Sequence, residues 1–391
     1  MRNVNVKLTL CLALATALVV LTAVVMIFSD RPVLASEQGG LQVDKPDDSP
    51  EGEKVSLSGP YAYKNLAVFL IHAKDAKAKT KFMTLQEALE SKKVTVSETG
   101  TVNNLVIENA SDDVHIYIQS GDIVRGGKQD RTIGHDCVIA PKSGKIPLSS
   151  FCVESGRWRQ RGSEKADQFS VSNNALPSKG LKVAAGYSRS QSGVWQEVAH
   201  IQDKLGGNLG QSVRSEQSAS SLELTLENKK VKKAVQEYVD ALSGLVEGRK
   251  DVVGFASAVN GEVGGADVYA SGDLFRRLWP KLLRACAVEA IAELQKTSVF
   301  SHPTTQAAAA FLQNDQKAKV HERQVNDHLR VVTRQSKDKI VLETYTAGEQ
   351  QALHKSYIRV DPKSLRQKPG PMRNSQIRQN ITNSIQQREQ R

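Results

Sequence analysis

Aromatic residues make up only 5% of this 391-residue chain, and Cys and Met occur four times each. So little Cys excludes a disulfide-stapled miniature scaffold, while 39% hydrophobic residues exclude global disorder. The length suffices for one large domain or two. No HExxH, CxxC or GxSxG occurs, so neither zinc-protease, dithiol nor nucleophile-elbow chemistry is announced. No repeat of solenoid period is present. With no complete catalytic motif and no metal or cofactor signature, the informative features are location, architecture and two unusual blocks.

One apolar run of membrane length exists, LTLCLALATALVVLTAVVMIF at residues 8 to 28, without charge, Pro or Gly and preceded by Arg2 and Lys7. At about 1.5 Å per helical residue it reaches roughly 30 Å, one bilayer core. It predicts an N-terminal transmembrane or signal helix. Length favours an uncleaved anchor, whereas Val33 and Ala35 before Ser36, with Pro32 upstream, suit a cleavage site. Either way the basic residues precede the run and the body is expected outside the cytoplasm, membrane-anchored in the cell envelope or secreted or periplasmic. Cys11 falls in this run, which leaves Cys137, Cys152 and Cys286 in a compartment that permits disulfides.

The pattern divides the chain into a signal segment (1–35), an acidic flexible linker (36–60), an α+β domain (61–300), an extension (301–362) and a disordered basic tail (363–391). The domain is expected to hold a β-rich part at 61–158 and a helix, hairpin, helix part at 229–296. Thr84 and Glu87 spell a capping box before TLQEALESKK. From 94 to 154, period-two segments separated by turn residues predict an antiparallel, sandwich-like sheet. Residues 159 to 221 read as long loops with one helix. The spacing of Val231, Val235, Tyr238, Leu242 and Val246 predicts an amphipathic helix. Asn260-Gly261 between VVGFASAV and EVGGADVYAS predicts a hairpin with a primed turn. Asp273 is expected to cap a further helix that Pro280 kinks or restarts. Another helix is expected from 304 to about 328, and then two or three strands up to Asp361. His321 and His328, seven apart on that helix, would share a face but lie roughly 10 Å apart, too far to bind one ion alone.

A net charge of +11 invites a nucleic-acid partner, since Lys and Arg facing phosphates release counterions. The tail carries seven Lys and Arg against Glu389 but no aromatic residue, which leaves only salt-sensitive attraction and weighs against nucleic acid. More than half of the net charge stays on residues 54 to 362.

GDIVRGGKQDR at 121 to 131 is the most suggestive stretch. Gly126 and Gly127 let backbone N–H groups form an anion nest, and Arg125, Lys128 and Arg131 add charge around it, with Gln129 alongside. It is no P-loop, because Gly and Gln129 stand where that motif wants Lys and a hydroxyl; a basic, solvated connection is the bland alternative. The second stretch is Phe151-Cys152-Val153-Glu154-Ser155-Gly156-Arg157-Trp158. Cys152 is a buried thiol, a disulfide partner of Cys137, or a thiol activated by a nearby cation. His135-Asp136 reads as a turn or strand-end pair.

The blocks 121 to 158 and 251 to 291 (DVVGFASAVNGEVGGADVYASGDLFRRLWPKLLRACAVEAI) together resemble the ARPP family. Its proteins are named for association with ADP-ribosylglycohydrolase and rhodanese-phosphatase partners. The resemblance runs from about 60 to 300 and implies no assigned activity, only a link by association to ADP-ribose or nucleotide chemistry. Many relatives read Gln-Asn-Arg where this chain has Gln129-Asp130-Arg131, which implies an added negative charge in the nest. The expectation is a non-catalytic module that binds an anionic small molecule, glycan or partner through Arg125 to Arg131, Arg157 and Trp158. The alternative is a hydrolase or transferase acting on ADP-ribose-like or other phosphorylated substrates, with Asp122 or Glu154 as general acid/base or Cys152 as nucleophile.

Overall fold

The computed structural model describes residues 41–42, 55–74, 80–295 and 300–362. The apolar run 8–28, most of the acidic linker and the tail 363–391 lie outside them. Among the described residues no helix is long and apolar enough to cross a membrane.

The chain opens with strands β1 (Leu41–Gln42), β2 (Ser56–Tyr63), β3 (Leu66–His72) and β4 (Phe82–Thr84) and helix α1 (Leu85–Glu90). Then come β5 (Val94–Glu98), β6 (Asn104–Asn109), β7 (His115–Ile118), β8 (Asp122–Gly126), β9 (Arg131–Ile133), β10 (Cys137–Ile139), β11 (Lys145–Cys152) and β12 (Phe169–Ala175). Helices α2 (Lys179–Lys182), α3 (Gln191–Leu209), α4 (Leu222–Leu226) and α5 (Lys229–Leu242) precede the hairpin β13 (Val252–Val259) and β14 (Glu262–Tyr269). The chain continues with α6 (Gly272–Ala292), α7 (Thr305–Leu312), β15 (Lys319–Asn326), β16 (Leu329–Gln335), β17 (Lys339–Thr346) and β18 (His354–Arg359).

The fold is α+β with mostly antiparallel sheets. Nine strands form one sheet in the order β1-β2-β3-β13-β14-β18-β17-β16-β15. The β-rich region splits into a six-stranded antiparallel sheet, β12-β8-β9-β11-β6-β5, and a three-stranded one, β10-β7-β4, in which β4 and β7 run parallel. These two smaller sheets and α1 close on their own apolar cluster, including Val96, Leu105, Ile107, Ile116, Ile133 and Leu148.

β3 shows why the large sheet is central. Leu66 to Ile71 have no exposed surface. Leu66, Val68 and Leu70 join the cluster that contains residues of α3, α5 and α6, while Ala67, Phe69 and Ile71 join the one that contains Ala308 and Phe311 of α7. Burying a Leu, Ile or Phe side chain on either face contributes about 1.5–3 kcal/mol, so a strand apolar on both sides belongs between two layers.

Local signals hold where they are self-contained. Thr84 and Glu87 form the expected capping box, and Asn260 and Gly261 have φ of 52° and 84°, the positive pair that a primed turn demands. Ser271, not Asp273, caps α6; Asp273 sits in its first turn, and the helix runs unbroken through Pro280. Residues 159 to 221 hold β12, α2 and α3 rather than one helix. The helix expected from 304 ends at Leu312, and β15 follows. The four-alanine run favours helix, but after Asp315, which accepts the Lys317 N–H at 2.8 Å, the polar segment 319–326 pairs along its length with β16. His321 therefore lies on a strand, and His328 follows β15 in the turn to β16. The extension does not stand apart, because β18 pairs with β14.

Candidate functional site

Gly126 and Gly127 adopt left-handed φ of 113° and 54°, and the successive N–H groups of this turn go to separate partners, that of Gly127 to the Lys165 carbonyl at 3.0 Å. The N–H groups on either side meet the protein's own carboxylates. Asp130 Oδ1 accepts the Gly126 N–H at 3.0 Å, and Glu98 Oε1, brought by β5, accepts the Lys128 N–H at 3.1 Å. The negative charge at Asp130 is thus taken up by the turn itself.

The surrounding cations are consumed in the same way. Arg131 has no exposed surface and donates to Glu98 at 3.1 Å and to the Gln129 carbonyl at 2.8 Å. Arg157 Nε bonds both oxygens of Glu154 at 2.8 Å, and Arg161 grips both oxygens of Asp130 at 2.7 and 3.1 Å. Arg125 reaches Glu227 at 2.7 Å and Glu164 at 3.2 Å. The Gln129 amide donates to the Glu154 carbonyl at 3.0 Å, and Lys128 lies over the Trp158 ring. Arg131, Glu154 and Arg157 thus meet, with Glu98, Asp130 and Arg161 as members that sequence reasoning did not assign. Asp122 lies elsewhere, paired with Lys281 on α6.

The thiols are equally committed. Cys137, Cys152 and Cys286 are free and buried, so Cys137 and Cys152 form no disulfide. Burial pushes the Cys152 thiol up to about 11, outweighing the pull of Arg131, and a protonated thiol is a poor nucleophile. Among the described residues, no group of three or more His, Cys, Asp or Glu is placed to hold a metal ion.

The geometry points instead to a cavity of about 360 Å³ between β14 to β18 of the large sheet and two turns of the β-rich region. A ligand site commonly offers about 300–1,000 Å³. Its floor is a charged cluster centred on His354, which is 2% exposed. His354 Nδ1 faces Asp136 Oδ2 at 2.8 Å, and Nε2 faces Asp267 Oδ1 at 3.1 Å. Both ring nitrogens donate only in the imidazolium form. Burial alone would lower the imidazole; the two carboxylates outweigh it and raise it to about 9.

Each carboxylate is held ionised in turn. Asp136 also accepts the Ser120 N–H at 2.7 Å and the Thr344 hydroxyl at 2.8 Å. Asp267 has Lys182 at 3.6 Å. Burial works against both acids, but His354 and, for Asp267, Lys182 bring them below the usual carboxylate range. Two anions and two cations make the floor neutral.

The mouth is different. After α2 the backbone widens into a π-turn over Val183–Tyr187, where the Ser188 N–H reaches the Val183 carbonyl at 2.8 Å; such turns are frequent at functional sites. It ends at Arg189, held at a left-handed φ of 50°. Across the opening, the alternation of β15 brings His321 and Arg323 to the lining. The Arg189 side chain makes one hydrogen bond, to the Ser149 hydroxyl at 3.3 Å, and the Arg323 side chain has no ion pair or hydrogen bond among the described residues. Burial and the neighbouring Arg189 charge together lower the Arg323 guanidinium. His135, also in the lining, is lowered by burial and carries no charge near neutrality.

Sequence reasoning found His135-Asp136 only as a turn pair and missed Lys182, Arg189, Asp267, Arg323 and His354. One signal was visible: Asp267 interrupts the apolar strand VGGADVY, and a carboxylate inside such a strand needs a buried partner.

Neither a curated protein nor a solved structure matches the chain. A family model, described as the ARG and Rhodanese-Phosphatase-superfamily-associated Protein domain, ARPP-1, matches residues 54–358. That span takes in both smaller sheets, the helices and β15 to β17 together with the cavity between them, so the chain belongs to the ARPP-1 family.

Proposed function

We propose that this protein is an exported binding module for a small anionic molecule, held in the cavity between Arg189 and Arg323 above the His354 cluster. One observation carries it: two guanidinium groups share the mouth of a cavity with no carboxylate partner among the described residues, while the floor below is already neutral. Elsewhere in the chain, Arg125, Arg131, Arg157 and Arg161 each have acidic partners. Arg189 and Arg323 are exposed, so water screens their mutual repulsion, and an anion between them gains charge-assisted hydrogen bonds. Planar Arg forks suit a phosphate or carboxylate, which they grip with two parallel hydrogen bonds. Apolar Val331, Leu342 and Ile358 line the wall, so the ligand carries carbon as well as charge.

Export rests on residues 8 to 28, whose length and flanking charges suit an anchor or signal helix. Asp122, Glu154 and Cys152 carry no catalysis in this reading, because the two carboxylates are locked in ion pairs and the thiol is protonated.

Thermal shift of the full chain against sugar phosphates, nucleotides and acidic glycans tests the site. At least one class is expected to stabilise the wild type, and Arg189→Ala with Arg323→Ala should weaken it about 100- to 10,000-fold, since each of the two charged hydrogen bonds lost contributes about 1.5–3 kcal/mol. Arg125→Ala, outside the cavity, should bind as wild type. If the double variant is stabilised as strongly as the wild type, the ligand does not bind there.

A further inference from the structure

A second constellation lies on the other half of the large sheet, made of groups that the anion site does not use. Ser58 Oγ is 2.7 Å from His72 Nε2, and His72 Nδ1 is 2.9 Å from Asp251 Oδ2. Upstream, the Tyr61 hydroxyl donates to Ser58 Oγ at 3.2 Å, and Arg249 Nη1 donates to the Tyr61 oxygen at 2.9 Å. With the proton of His72 on Nδ1 toward Asp251, every donor in the chain Arg249, Tyr61, Ser58, His72, Asp251 has one acceptor. That tautomer leaves Nε2 free to receive the serine proton.

Local structure aims these groups. β2 and β3 pair in register except between Ser58 and Tyr61, where β2 bulges. Gly59 there has φ of 114°, and a Cβ on it would meet the Val68 carbonyl oxygen at 2.8 Å, so the bulge requires Gly. The register sets Ser56 against His72 and Ser58 against Leu70, so Ser58 and His72 share one face as diagonal neighbours, with the bulge beginning beyond Ser58. Asp251 enters from the segment before β13, fixed by the Ala73 N–H donating to its carbonyl at 3.0 Å.

Stability does not account for the trio. The Asp251 side chain is 65% exposed, and ion pairs so open contribute little to folding. Burial opposes ionisation of Asp251, but the His72 hydrogen bond holds it below the usual carboxylate range.

The geometry points to a Ser58–His72–Asp251 acyl-transfer site that cleaves carboxylic esters, with Ser58 as nucleophile, His72 as general base and Asp251 as the group that orients it. Nucleophile to base and base to carboxylate are both within hydrogen-bond reach, the arrangement by which such triads are recognised on unrelated folds. Ser58 Oγ attacks the ester carbonyl carbon while its proton passes to His72 Nε2. The tetrahedral oxyanion collapses, the bond to the alcohol oxygen breaks, and His72 returns the proton to the departing alcohol. Water then attacks the acyl-serine, giving its proton to His72, and the carboxylic acid leaves as Ser58 recovers its hydrogen. Arg249, whose remaining N–H groups have no partner among the described residues, supplies the positive charge near the developing oxyanion.

Reaction of the full chain with a fluorophosphonate, followed by mass spectrometry, tests the site, together with p-nitrophenyl acetate turnover. The wild type is expected to acquire one adduct on Ser58, with none in Ser58→Ala. His72→Gln should slow labelling about 100-fold or more and flatten the pH profile of its rate, which a purely structural His72 would not do. Asp251→Asn should slow it with the melting temperature unchanged. Arg125→Ala, outside both this site and the cavity, should label like the wild type. An unlabelled wild type, or an adduct that persists in Ser58→Ala, overturns the proposal.

Discussion

Replacing His354 by Ala is expected to destabilise the protein by about 3–5 kcal/mol, because it strands two buried carboxylates that the imidazolium now joins. Asp136 and Asp267 are 4% and 2% exposed, so water cannot take over the lost hydrogen bonds. For a chain of this size the melting temperature should fall by on the order of 10 °C. The same cluster sets a pH dependence whose sign is fixed. An unfolded His titrates near about 6.5, whereas folded His354 is raised to about 9. A folded value above the unfolded one means that the imidazolium contributes fully below about 6.5 and loses its contribution as pH rises through 9. The loss is on the order of 3 kcal/mol. Asp136 and Asp267, lowered by the fold, act in the opposite sense, and their contribution is lost in acid. Urea midpoints measured from pH 6 to 10 should fall for the wild type and stay flatter for His354→Ala; parallel curves would show that His354 is not the imidazolium described.

Loss of Arg131 should rival this in size. Its side chain is wholly buried against Glu98, itself 5% exposed, and breaking a buried pair by removing one partner costs about 3–5 kcal/mol. Arg131→Ala also leaves the Gln129 carbonyl without its donor and Trp158 without the guanidinium beside it. Arg125→Ala is the matched comparison. That side chain is 33% exposed in both of its ion pairs, so its removal should cost about 1 kcal/mol or less. Chemical denaturation of the two variants beside the wild type decides: equal losses would mean that the Gly126 to Arg161 junction is not a buried ionic core.

What was legible in the sequence was local. A capping box needs Thr84 and Glu87 three apart, and a primed turn needs only Asn260 and Gly261, so neither depends on the rest of the fold. The turn at Gly126 and Gly127 was legible for the same reason, but not what surrounds it: Glu98 lies 30 residues from Lys128 on another strand, and Arg161 lies 31 residues from Asp130. β15 could not be read, since its polar residues suit helix or strand and only β16 decides between them. The cavity was least legible. His354 is separated from Asp136 by 218 residues and from Asp267 by 87, and no spacing rule reaches across three elements that meet only when β18 pairs with β14. The glycines and arginines of residues 121 to 131 drew attention as a ligand site because charge is visible in sequence and neutralisation is not.

The cavity site is tested most directly by soaking crystals of the protein in tungstate, a tetrahedral oxyanion whose metal scatters anomalously. An anomalous peak between Arg189 and Arg323, absent in the Arg323→Ala variant, is the predicted result. A peak at the Gly126 to Arg131 turn with none at the cavity mouth would contradict the account.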